Sequence, residues 1–81
     1  MPLSTAEQLR GARAMAAMEQ TQLATAAKVA VGTVHKLEKQ RGLFAGVKVE
    51  TVRALQRALE QLGVTFTEHG VEAGPKLRQR A

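Results

Sequence analysis

Residues 20–38 read QTQLATAAKVAVGTVHKLE. Leu23, Ala24 and Ala27 repeat at helical spacing, Val29 ends that stripe, and Val34 and Leu37 resume one a few residues later. So short an interval between two apolar stripes leaves room for one tight turn, which predicts two short helices in a helix-turn-helix arrangement. On the second of the pair, Val31, Gly32, His35 and Lys36 fall outside the stripe and face outward.

Upstream of this stretch, Ser4 or Thr5 followed by Glu7 or Gln8 has the form of a capping box. Leu9, Ala12, Met15 and Ala16 then mark an apolar stripe, so a first helix is expected over 4–18. The second and third helices are read over 20–28 and 31–40, and Gly42 and Gly46 make 41–48 a loop. Val52, Leu55, Leu59 and Leu62 recur in steps of three and four, predicting a fourth helix over 50–62 that Gly63 stops. Beyond it the period changes to two, with Val64 and Phe66 alternating with Thr65 and Thr67. Gly70, Gly74 and Pro75 supply turn chemistry over 68–75, with His69 as a turn residue, and 76–79 is read as a returning strand. An isolated hairpin is marginal in water, so Phe66 and Leu77 are expected to pack on the fourth helix or against a second copy of the chain. The expected fold class is all-α: a compact four-helix domain over 1–63, followed over 64–81 by a short β-hairpin and a basic tail.

Eighty-one residues allow one small core, which typically supplies only ~3–5 kcal/mol, so regular helix packing or dimerisation is expected. No cysteine is present, which removes disulfides and thiolate metal sites together and suits a reducing compartment. Residues 1–5 carry neither the basic start nor the apolar run of a signal peptide, and no window approaches the ~20 apolar residues of a membrane span. A cytoplasmic protein with no membrane partner is expected. There is no Asp, and the only histidines are His35 and His69, so no paired-carboxylate site, metal cluster or nucleophile triad can be assembled. These absences predict no enzyme activity, no cofactor, no metal and no small-molecule substrate.

Twelve Lys and Arg against seven Glu give a net charge of +5. The imbalance is local. Residues 28–57 hold seven basic side chains (Lys28, Lys36, Lys39, Arg41, Lys48, Arg53 and Arg57) against Glu38 and Glu50. A polyanion is the natural partner of such a run, because each neutralised phosphate releases counterions. A solvated surface that keeps the protein in solution is the other reading of the same charge.

Residues 12–42, ARAMAAMEQTQLATAAKVAVGTVHKLEKQRG, resemble the Cro/repressor-type helix-turn-helix family, also called the xenobiotic-response-element family, and the resemblance covers about 9–66. It lies in an Arg in the first helix, a Gln opening the second with Leu-Ala inside it, a Val in the turn, Thr-Val in the third helix and a closing Glu. Residues 57–66, RALEQLGVTF, are similar to a subset of short bacterial members whose fourth helix runs into a Gly-Val-x-Phe strand. The resemblance implies a nucleoid-associated regulator whose partner is a double-stranded DNA operator. It implies that Gln20 donates to a backbone phosphate, that Val31, Gly32, Thr33, His35 and Lys36 enter the major groove, and that Lys39 and Arg41 lie near flanking phosphates. Arg13 and Glu38 match an ion pair between the first and third helices of many members, which would lock the reading helix to its scaffold. Most such modules are dimers, and the family's frequent fifth helix is missing here. A homodimer would then use the fourth helix, or strand pairing through Val64 and Phe66.

The chain departs from the family where Lys28 replaces a turn glycine and where Ala30 replaces the Ser or Thr that caps the third helix. Val31 and Gly32 also stand where hydrogen-bonding side chains would offer strong contacts to base edges. These departures favour a rival reading: a scaffold that no longer reads DNA and presents the apolar corner of Val31, Gly32 and Val34, or its hairpin and fourth helix, to another protein, for example as an antiactivator that captures a transcriptional activator. The basic charge favours DNA, because phosphate contacts need Lys and Arg and an apolar protein interface does not.

Overall fold

The computed structural model describes residues 3–68 and 70–78. Its first helix, α1 (Ala6–Met15), starts where the Thr5 hydroxyl accepts from the Gln8 amide at 3.1 Å and Gln8 Oε1 accepts from the Thr5 amide at 3.1 Å. This is the reciprocal cap expected of Thr followed three residues on by Gln. The helix ends three residues before the expected boundary. Ala17 turns into the left-handed region at φ 54°, its N–H donating to the Ala14 carbonyl and that of Met18 to Arg13. The second helix, α2 (Gln20–Ala27), stops in the same way, with Lys28 at φ 59° donating to Thr25 and Val29 donating to Ala24. Both are Schellman endings made without glycine. Met18 and Val29, the residues that follow, pack against the core, and that apolar contact offsets a left-handed strain of about 1 kcal/mol at each site.

Helix α3 (Val31–Glu38) follows after a three-residue turn, and α4 (Val49–Gln61) after the loop 39–48. Each lies within two residues of the expected span. Helix α4 buries Val52, Leu55, Ala58 and Leu59, and Gly63 breaks the chain away from it at φ 107°.

The fold is mostly helical but not all-α. Strands β1 (Val64–Phe66) and β2 (Val71–Ala73) form an antiparallel pair in the register Val64↔Ala73, Thr65↔Glu72 and Phe66↔Val71. The returning strand therefore lies five residues before the expected 76–79. The reason is the turn: the Thr67 amide donates to the Gly70 carbonyl at 2.9 Å and the Gly70 amide to Thr67 Oγ1 at 2.9 Å, so the chain reverses before Val71. Residues 76–78 belong instead to a four-residue helix, α5 (Pro75–Arg78), which begins at a proline, where a missing N–H costs nothing. Lys76 Nζ donates to the Gln61 carbonyl at 2.7 Å and so covers one of the free acceptors at the end of α4. His69, Gln79 and the end of the basic tail lie outside the described residues.

One core joins all of this. Leu9 and Ala12 of α1, Leu23 of α2, Val34 of α3, Leu55 and Leu59 of α4 and Val64 and Phe66 of β1 belong to a single buried cluster. Met15, expected in the stripe of α1, is instead 37% exposed, because the stripe runs from Ala12 to Ala16 and leaves it at the edge. Leu3 is buried at 1%, held by the Phe44 amide donating to Ser4 O and by the Leu3 amide donating to Gln56 Oε1 at 3.2 Å. Gln8 is buried as well. Its Nε2 donates to the carbonyls of Thr67 (3.0 Å) and Gly70 (3.2 Å), so the residue that caps α1 also holds the hairpin turn.

Relief of the left-handed strain should show in stability. Ala17→Gly is expected to gain about 1 kcal/mol, seen as a rise of several degrees in the thermal midpoint. Gly74→Ala is expected to lose about 1–3 kcal/mol, because a Cβ there would stand 2.6 Å from the Gly63 carbonyl oxygen.

Candidate functional site

The face of the molecule that could meet a partner is built on α3, and its geometry begins inside. Val34, Leu37 and Glu38 are buried, which fixes the rotation of the helix. Val31, Gly32, His35, Lys36 and Lys39, spaced by one and four, are then all exposed on the opposite side, and Thr33 is half-buried at its border. The front of α3 starts at Ala30, whose extended backbone (φ −70°, ψ 139°) has no side chain to cap the first turn. Two amides of that turn reach only the Ala30 carbonyl, Thr33 at 3.0 Å and Val34 at 3.4 Å.

The rear of α3 is tied far more firmly. Arg13 Nε donates to Glu38 Oε2 at 2.7 Å and Arg13 Nη2 to Oε1 at 3.0 Å, a two-pronged pair between α1 and α3. Gln20 Nε2, from the first turn of α2, donates to the same Oε1 at 3.2 Å, and Arg10 donates through Nη1 to the Glu38 carbonyl. Arg13 Nη1 reaches the Met18 carbonyl at 2.9 Å. Its guanidinium is held above its ordinary pKa, first by hydrogen bonding to Glu38 and also by the carboxylate's charge, against partial desolvation. Glu38 thus ties α1, α2 and α3 together. The side chain assigned to a phosphate, Gln20, has one of its N–H groups turned inward to this cluster.

The cations lie around the outward face. Lys28, in the turn, Lys36 and Lys39, on α3, and Arg41, just past it, are exposed and form no ion pair among the described residues. The loop beyond is pinned rather than loose. Gln40 brackets Ala45, accepting from its amide at 2.9 Å and donating to its carbonyl at 3.0 Å. The Glu7 carboxylate accepts from the Gly42 amide at 3.0 Å. Its own backbone N–H, then that of Gly42, and more weakly Arg10 at 3.6 Å hold its pKa below the usual carboxylate range. This tie is therefore intact at neutral pH and is lost as the pH falls through that lowered value.

Two open grooves flank α3 and α4. One, of about 310 Å³, runs along α3 between Thr33, Lys36, Gln40 and the loop residues Gly46 and Val47. The other, of about 300 Å³, is apolar, lined by Leu3, Leu43, Phe44, Val47, Val49 and Val52, with Leu43 72% and Val49 53% exposed. Sequence periodicity did not single out this second surface, since Leu43 lies in a glycine-flanked loop. Val64 and Phe66, assigned to self-association, are 2% and 8% exposed, and their side chains are used inside the protomer's own core. Among the described residues no three His or Glu side chains lie close enough to share a metal ion, and no helix is long and apolar enough to cross a membrane.

Comparison with protein-family models, with curated proteins and with solved structures gave no match for this chain.

The Arg13–Glu38 pair is unequal, with the Arg13 side chain 25% exposed and that of Glu38 only 5%. Glu38→Ala leaves an arginine that can turn to water, and is expected to cost about 1–2 kcal/mol. Arg13→Ala leaves a buried carboxylate with only Gln20 beside it, and is expected to cost about 3 kcal/mol. Thermal unfolding of both single variants and the double variant checks this, the double costing less than the sum.

Proposed function

We propose that this protein is a small bacterial-type transcriptional regulator, a repressor or autoregulator, that binds double-stranded DNA through a helix-turn-helix made by α2 and α3. The observation that carries this reading is the pairing of a firmly held helix with a free cationic face. Glu38 ties α3 to α1 and α2, while Lys28, Lys36, Lys39 and Arg41 stand exposed around its outer side with no carboxylate partner among the described residues. A helix held at its rear by Glu38 fits the major groove, and unpaired cations at its margins fit the phosphates on either side. His35 and Lys36 are assigned to base edges, Lys39 and Arg41 to phosphates, and Gln20, through its second amide hydrogen, to a phosphate at the start of α2. The resemblance of residues 9–66 to the Cro/repressor-type family supports the same assignment.

A second reading, a protein-binding antiactivator, draws support from one observation: the apolar groove with Leu43 and Val49 strongly exposed is lined without any residue of α3. The two readings separate in a reporter assay. Leu43→Asp should silence an antiactivator, and reversal of the α3 charges should leave it working.

For the preferred reading, Lys36→Glu combined with Lys39→Glu is expected to weaken binding to the DNA upstream of the gene about a hundredfold and to flatten its salt dependence, with the thermal midpoint unchanged. Fluorescence anisotropy across a salt series measures both. Equal binding by the altered and unaltered proteins would remove DNA recognition by α3.

A further inference from the structure

Four large apolar side chains stand exposed among the described residues: Met15, Val31, Leu43 and Val49. Leu43 and Val49 share a groove, and Met15 closes α1. Val31 is different. It is 43% exposed on the first turn of α3, on the same outward face as His35, Lys36 and Lys39.

We infer that Val31 reads thymine, through the C5-methyl group that thymine presents in the major groove. The inference rests on the reading of α3 as the DNA-contacting helix and adds to it a base preference. Ala30, Val31 and Gly32 carry no hydrogen-bonding side chain, so the front of the helix can neither donate to nor accept from a base edge with a side chain. The major-groove edges of the four base pairs present donors, acceptors, the small C5–H of cytosine and one methyl group, that of thymine, which offers the largest apolar contact. An isopropyl group pressed against a donor or acceptor would strip it of water and give nothing back. Pressed against a methyl, the same group removes apolar surface from water on both sides. An A·T pair therefore belongs beneath Val31.

Gly32 makes the contact reachable. Nothing lies within 4 Å of where its Cβ would stand, so no packing demand accounts for a glycine at this place in a helix. Its bare backbone lets the first turn approach the groove floor until the Val31 isopropyl is the leading edge. Lys36 and Lys39, exposed one and two turns on, supply the attraction that holds the helix there.

The fragment immediately upstream of the gene, copied once with thymine and once with uracil, differs between the two forms only in the C5-methyl. Anisotropy titration of the full chain at one salt concentration is expected to show weaker binding to the uracil form, by about fourfold for each methyl contacted. Val31→Ala, which removes two methyl groups from an exposed side chain and keeps the helix, is expected to shrink the difference between the two forms, because the single methyl left covers less of the thymine group. Equal binding of both forms by the unaltered protein overturns the inference and leaves DNA recognition standing. A thymine preference undiminished in Val31→Ala also overturns it, by assigning the preference to duplex shape. No binding to either form at low salt overturns both this inference and the function on which it rests.

Discussion

The carboxylate of Glu38 is the constraint on which the arrangement of the first three helices depends. A small interior of alanine, valine and leucine gives burial without much direction, since such side chains pack acceptably at several helix rotations. A buried carboxylate is less forgiving. With Arg13 forked onto both of its oxygens and Gln20 on one of them, α1, α2 and α3 meet at one point with distances of 2.7 to 3.2 Å. The cost of desolvating the acid is offset only while every donor is in place. Its contribution is therefore to the choice of one packing over its neighbours as much as to total stability.

Much of this was legible in the chain. The period-3.6 stripes located four helices, and the alternation from Val64 to Phe66 located β1, because burial of one face leaves its mark directly on residue spacing. The Arg13–Glu38 pair came from likeness to a family and not from spacing, since 25 residues separate the two. What escaped the reading depends on contacts distant in sequence or on unusual backbone. Ala17 and Lys28 adopt left-handed conformations that usually announce themselves as glycine, so spacing alone carries α1 three residues beyond its true end. The second strand was misplaced because Thr67 and Gly70 close the turn through a side-chain hydrogen bond that composition does not reveal. Gln8 has the sequence signature of a cap, and nothing local marks its second role, 59 and 62 residues away, on the carbonyls of the hairpin.

The surface divides along similar lines. Around α3 the chain gathers cations that form no ion pair among the described residues, and across the loop it leaves Leu43 and Val49 in the open beside a shallow apolar groove. The loop between them is closed on itself by Gln40 across to Ala45 and is tied to the start of the chain by Glu7 on Gly42 and by the Ser4 carbonyl on Phe44, so the two surfaces keep a set relation to each other. A regulator that used both would need no moving part to present them together.

The uneven fastening of α3 has a mechanical consequence. The helix is a cantilever: its heel is clamped by Glu38, while its toe, from Ala30 to Thr33, has neither a side-chain cap nor a fully buried anchor. Bending compliance in such a beam concentrates at the unsupported tip. In the proposed complex the tip is the part that meets the bases, so it can settle into grooves of slightly different width while the clamped end keeps the angle of approach.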